Sequence, residues 1–366
     1  MQHVSSEFDL YTDYLIINQG QSTATQLSSL LDGHIAHDTF TRSLNERNYT
    51  SVDLWKVVKP FALQIQSDEG VLILDDTVEP KPYMKESELI CWHFDHVEGR
   101  SVKGINQLTA LYYNQNISLP VGFNLIHKDE FKTDKKTGKL KRVSCVSKHQ
   151  YFRQLIKRSI DNNLIFKYVL ADKWRPTLRF SSNENMTYIS ELNRHFVMPL
   201  KENRKVALSL EDHNKGKHQS IESLGLEEGQ TSCVYLKGMG LPLLITKQVF
   251  KNENSIKGTL YLVTNDLMAD TSSIKDYYQR RWKVEEFYKS VKSNTGYSKS
   301  PAHTTRTQSN HLYLSMIAFV KLEAIKVNTK KNHFAIKSIL VINAMKVSMR
   351  KLQTLKQNIS LLNQCA

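Results

Sequence analysis

The stretch Tyr278 to Lys292, YQRRWKVEEFYKSVK, organises the reading of this chain. It contains no Gly or Pro and consists of residues that tolerate a helix, so a single helix is expected. At about 100° per residue from Tyr278, Arg281 falls near 300°, Glu285 near 340° and Lys292 near 320°. A phenol, two cations and a carboxylate thus share one narrow stripe. Val284, Phe287 and Val291 gather at roughly 180–240°, the face a helix would bury. Glu286 swings to about 80°, off the stripe. Of the two adjacent glutamates, the helix selects Glu285. Mixed charges at these spacings are common on solvated helix faces. The sharper reading is a metal-holding carboxylate flanked by phosphate-holding groups, as phosphodiester chemistry requires.

The totals point the same way. With 366 residues the chain has room for two or three domains, and its formal charge of +14 suits an acidic polymer, nucleic acid before anionic membrane. No apolar run approaches membrane-spanning length and no charged-then-apolar leader opens the sequence, so a cytoplasmic location is expected. Cys91, Cys145, Cys233 and Cys365 lie far apart, indicating neither a disulfide framework nor a thiolate zinc site.

Other stretches supply further acids and bases. Gly70-Val-Leu-Ile-Leu-Asp75-Asp76-Thr77 reads as a strand buried on both faces that ends in two carboxylates, where a metal site can open. Leu164 to Asp172 reads as a second apolar strand ending in an acid, with Trp174 and Arg175 just beyond, and an amphipathic helix precedes it over Tyr151–Asn162. Ile90 to His96, Val102 to Tyr113 and Val121 to His127 read as three strands. Cys91, His93 and His96 do not converge as zinc ligands on an alternating strand and lack a fourth partner. Lys103 is a candidate phosphate contact, and Lys128 to Lys148 reads as a basic surface loop.

Near the start, helices from about Thr23 or Ala24 and from Ala36 to Glu46 flank an Asp32-Gly33 turn. This is the outline of a helix-turn-helix, with His37, Thr41, Arg42 and Arg47 facing outward. From His195 to Thr264 short strands alternate with polar loops, and Lys201, Asn203 and Arg204 form a polar-basic turn. A strongly apolar helix over His311–Ala324 is expected to pack under the sheet, and a lysine-rich amphipathic helix follows over Ile336–Leu355.

Tyr278, Arg281, Glu285 and Lys292, with Trp282 and Glu286, resemble the signature helix of DDE transposases from bacterial insertion sequences, in the group around insertion sequence four. The resemblance runs from about Tyr11 to Ala324. It implies an α/β fold: an RNase-H-like catalytic core with a β-rich insertion and an N-terminal helical DNA-binding domain. The boundaries implied are 1–67 for the helical domain and 68–194 for the first part of the core. The insertion takes 195–270, the second part of the core 271–325 and a C-terminal helical segment 326–366. The resemblance makes Asp76, directly before Thr77, the first catalytic acid, while periodicity leaves Asp75 open. Asp172 becomes the second acid and Glu285 the third.

These three carboxylates are expected to hold two Mg²⁺ ions about 4 Å apart, with Mn²⁺ as a substitute. One ion would activate the attacking water and the other would stabilise the leaving 3′ oxygen, and the freed 3′-OH would then attack target DNA. Tyr278, Arg281, Lys292, Arg42 and Lys103 are the expected DNA contacts. Partners are double-stranded DNA, as terminal inverted repeats and target, and a second copy of the chain in a synaptic dimer. No Trp lies between His195 and Thr264, so the base-stabilising tryptophan that some relatives carry in the insertion is missing. A nuclease or resolvase that cuts without joining, and an inactive DNA-binding descendant, remain the alternatives.

Overall fold

The structure, a computed structural model, describes residues 5–95, 98–134, 138–171, 180–251 and 257–364. In chain order the elements are helices α1 (Ser6–Ile17), α2 (Ala24–Leu30), α3 (His37–Asn45) and α4 (Ser51–Ile65), then strands β1 (Val71–Pro80), β2 (Cys91–Asp95), β3 (Arg100–Asn114), β4 (Ile117–Leu125), β5 (Glu130–Thr133) and β6 (Leu140–Val143). After these come α5 (Lys148–Asp161), β7 (Tyr168–Ala171), α6 (Asn183–Glu191), β8 (His195–Leu200), β9 (Lys205–Ala207), α7 (Leu210–Asn214), β10 (Gln219–Ser220), β11 (Thr231–Leu236), β12 (Pro242–Lys251) and β13 (Lys257–Thr264). Four helices close the chain: α8 (Thr271–Arg280), α9 (Lys283–Asn294), α10 (Thr305–Thr329) and α11 (His333–Gln364). Two compact units result, residues 1–48 with 289–366 and residues 49–288.

The first unit is helical. α10 is buried around nearly its whole circumference between Leu312 and Leu322, so it needs neighbours on several sides. It packs among α1, α3 and α11 in this unit. Polar ties fix the arrangement. Lys321 pairs with Asp9 and Asp13 of α1, and Asn310 donates to the carbonyls of Leu44 and Arg47 at the end of α3. The turn between α2 and α3 has left-handed backbone at Asp32 (φ 49°) and Gly33 (φ 75°), residue types that tolerate it. From Ile342 to Lys356 α11 is exposed on every side.

The second unit is built on a mixed sheet of eleven strands among the described residues, ordered β10-β9-β11-β12-β13-β8-β7-β1-β3-β2, with β4 also paired to β3. β7 runs parallel to both β1 and β8, whereas the other pairings are antiparallel. β1 is central: Val71 to Leu74 are buried on both faces, as a continuous apolar run requires. The strand does not stop at its acids, as the sequence suggested, but continues to Pro80. Pairing with β7 extends only to Leu74↔Ala171, whereas pairing with β3 continues to Pro80↔Gly104. The acids thus follow directly on the last described pair with β7, and the unbroken β3 ladder keeps their backbone extended. Lys128 to Lys148, read as a loop, contains the paired strands β5 and β6.

Candidate active site

Side chains alternate across a strand, so Asp75 and Asp76 leave opposite faces of the sheet. Asp76 is opposite Leu108 in register, and Asn106 is the next β3 residue on that face. The Asn106 side-chain amide donates to Asp76 Oδ2 at 3.0 Å, and Lys148, the first residue of α5, pairs with the same oxygen at 2.6 Å. Asp76 is only 2% exposed. A lysine in the first turn opposes the helix dipole, and this buried carboxylate offsets it.

Asp75, half-buried, shares its face with Ile73 and Val71. Val71 is opposite Tyr168 of β7 and Tyr113 of β3. The Tyr168 ring lies 4.2 Å from that of Tyr277 on α8, and Lys283 Nζ of α9 lies 5.6 Å over the Tyr113 ring. Helices α8 and α9 therefore cover the Asp75 face, and α5 covers the Asp76 face. The α9 side is tied to the strand at the acids themselves: Tyr288 Oη of α9 donates to the main-chain carbonyl of Asp75 at 2.8 Å.

α8 begins where the Asp270 carboxylate accepts from Ser273 N at 2.7 Å, and it is held by Tyr277 Oη donating to Glu69 at 2.6 Å. The expected single helix over Tyr278–Lys292 is in fact two, α8 and α9, joined at Arg281 and Trp282. The joint is a tight turn: Arg281, Trp282, Val284 and Glu285 each donate their backbone N–H to the carbonyl three residues back. Such bonds wind the chain by about 120° per residue, so a 100° wheel cannot be carried across them.

The local grouping survives this break. Arg281 Nη2 meets Glu285 Oε1 at 3.0 Å, and the Arg281 guanidinium lies 5.6 Å over the Tyr278 ring. The Arg281 side chain is 9% exposed and that of Glu285 38%, which leaves the carboxylate reachable. Glu286 turns away and pairs with Lys283 at 2.8 Å. Trp282 projects outward and is exposed. Lys292, in the last turn of α9, belongs to the first unit.

Asp172, Trp174, Arg175 and His96 lie outside the described residues. The strand leading to Asp172, β7, is described to Ala171 and pairs there with Leu74, one residue before Asp75. Arg42 is exposed on α3 in the first unit, and Lys103 lies on β3 opposite Trp92. His93 is buried with its Nε2 3.2 Å from Cys91 Sγ; burial and the nearby charges of Lys128 and Lys148 push its pKa down to about 3. Among the described residues no three His, Cys, Asp or Glu side chains converge on one point suited to a metal ion. In the insertion, Arg204 N bonds to Lys201 O, and the Arg204 guanidinium is tied to Asn183, so that turn is built into the fold.

Sequence reasoning passed over Asn106, Lys148 and Tyr288. Two of them carried a signal. Ser147 with Gln150 forms a capping box that makes Lys148 the first helical residue. Tyr288, three residues after Glu285 on α9, lies about 60° round from it and so beside the Glu285 stripe.

Two family models match the chain. One, described as DDE superfamily endonuclease, covers residues 3–220, and the other, described as transposase DDE domain, covers residues 132–321. No curated protein matches it.

Proposed function

The chain belongs to the DDE superfamily of endonucleases and transposases, and on that premise we propose that it is the DNA transposase of an insertion sequence. In this reading it binds the element's terminal repeats as a dimer, hydrolyses phosphodiester bonds there, and joins the freed 3′-OH ends to target DNA. The observation that carries the reading is the tie between Tyr288 and Asp75, which fastens the helix of Glu285 onto the acid-bearing strand. The order β4-β3-β1-β7-β8, antiparallel as far as β1 and parallel beyond it, supports an RNase-H-like core.

The acids proposed are Asp75, Asp172 and Glu285. Motif position favours Asp76 as the first, but its carboxylate is buried against Lys148 and Asn106 on the face opposite α8 and α9. Asp75 shares the face that those helices cover. Asp172 is the acid that the motif places in sequence directly after Ala171, the last described residue of β7. Carboxylate oxygens on a strand and on a part-exposed helical turn suit Mg²⁺ or Mn²⁺, which when bound would activate water and stabilise the leaving oxygen.

The chain's own side chains have separable tasks. Arg281 orients the Glu285 carboxylate through its ion pair, and its charge offsets that accumulating on the scissile phosphate. Tyr278 buttresses the Arg281 guanidinium from beneath. Lys292, Arg42 and Lys103 are proposed as backbone-phosphate contacts, which give affinity without reading sequence.

The test is cleavage of DNA carrying the element's own ends in Mg²⁺, wild type against Glu285→Gln. Cutting and joining by wild type alone supports the proposal. Cutting without joining would identify a nuclease or resolvase. Binding without cutting, in Mg²⁺ and in Mn²⁺, would identify a DNA-binding descendant.

A further inference from the structure

Between β4 and α5 the chain forms a ribbon that the large sheet does not absorb. Among the described residues β5 and β6 pair with each other, from Glu130↔Val143 to Thr133↔Leu140, and with no strand of that sheet. Two strands alone bury little and are marginal in water. This pair is braced at its base. The Arg142 guanidinium lies 4.5 Å over the Phe131 ring, pairs with Glu86 at 3.3 Å and donates to the Lys128 carbonyl. Lys128 in turn bonds to the carbonyls of Glu88 and Trp92.

Away from the brace the ribbon is open. Phe131 is 55% and Leu140 69% exposed; Lys132, Lys139 and Lys141 are also exposed, Lys132 lying 3.7 Å from Glu130 and Lys141 pairing with Asp134 at 2.7 Å. Among its described residues from Lys128 to Val143 the ribbon carries five basic residues, Lys128, Lys132, Lys139, Lys141 and Arg142, against three acidic ones, Asp129, Glu130 and Asp134. We propose that this ribbon is a DNA-binding element that seats on duplex DNA, an inference that rests on the transposase reading above.

Three features favour this occupant. The ribbon's charge is opposite to that of a phosphate backbone and reinforces a chain that is +14 as a whole. Two antiparallel strands are an element that the major groove of B-DNA admits. The ribbon also leads through Ser147 into α5, whose Lys148 bonds to Asp76, so duplex lying along it reaches the acid end of β1. A second copy of the chain is disfavoured, because apposed ribbons would bring like charges together.

The test uses the full chain and a 30-base-pair duplex of arbitrary sequence, without divalent metal, and reads the slope of log affinity against log salt concentration. Lys132→Ala/Lys139→Ala is expected to lower the slope by about 1.8, at roughly 0.9 for each phosphate no longer neutralised, and Lys132→Arg/Lys139→Arg to restore it. Lys215→Ala/Lys217→Ala, the same charge change in the insertion, is expected to move it much less. An unmoved slope, or equal shifts from both alanine pairs, would overturn the ribbon's role. Loss of self-association by sedimentation with the slope unmoved would instead make a second copy the occupant, and would overturn it too. The two readings fail separately. A wild type that cuts in Mg²⁺ while the slope stays put sinks the ribbon alone, and one that shows the slope change but never cuts sinks the transposase reading alone.

Discussion

The phenol of Tyr288 donates a 2.8 Å hydrogen bond to the main-chain carbonyl of Asp75, so the helix bearing Glu285 is pinned to the strand bearing both acids. The bond fixes backbone to helix and leaves the Asp75 carboxylate uninvolved in that tie. Tyr288→Phe removes one hydrogen bond to a half-buried acceptor, which is expected to cost about 1 kcal/mol in denaturant unfolding. DNA cleavage by this variant should slow about tenfold with duplex affinity unchanged, because Glu285 is then held less firmly against β1. An unaltered cleavage rate would mean the tie is purely structural.

Asp75 and Asp76 should separate by what their loss does. Asp75→Asn is expected to fold normally and to lose at least about a thousandfold in cleavage, as removal of a metal-holding carboxylate does. Asp76→Asn leaves the Lys148 ammonium without its buried counter-charge and should destabilise by about 3 kcal/mol. Paired urea curves and cleavage rates for the two variants check this, and a fully stable, inactive Asp76→Asn would reverse the assignment.

Arg281 meets Glu285 at 3.0 Å and is itself nearly buried. Arg281→Gln should lower the cleavage rate at saturating DNA roughly 10–100-fold, by loosening Glu285 and removing charge near the phosphate. Affinity should hold, and the salt slope should change by less than the value for a single phosphate, about 0.9. A large loss of affinity with an unchanged saturating rate would make Arg281 a DNA anchor instead.

The buried His93 gives the fold a pH dependence whose sign follows from its pKa of about 3. In the unfolded chain the imidazole takes up a proton near pH 6.5, whereas in the folded protein burial keeps it neutral until far lower pH. Its contribution is therefore intact above pH 6.5 and is lost as pH falls from there towards 3, at about 1.4 kcal/mol per pH unit. His333, pushed down to about 4 by burial and by Lys326, adds the same sign in the other unit. Unfolding free energies at pH 7 and pH 5 should differ less in His93→Gln than in wild type.

Gly104 is where β3 crosses the end of β1. A Cβ added there would lie 2.2 Å from the Glu79 carbonyl oxygen, a main-chain atom that cannot swing away. Gly104→Ala should thus pry the two strands apart beyond the acids and cost about 2–3 kcal/mol or more, read from the denaturant midpoint.

Local chemistry made much of this legible in the sequence. Apolar runs gave β1 and β7, the Asp32-Gly33 turn gave the α2–α3 pair, and fixed spacing grouped Tyr278, Arg281 and Glu285 and set Glu286 aside. Those patterns depend on neighbours within four residues along the chain, and one sequence contains them. Tertiary structure decided the rest. The gathering of α10 with α1 and α3, and the brace of Arg142 on Glu86 beneath the β5–β6 ribbon, depend on partners far away in sequence. So do the opposite faces of Asp75 and Asp76. Adjacent acids in a strand are equivalent by composition, and only the elements packed on each side distinguish the one held by Lys148 from the one beneath the helix of Glu285.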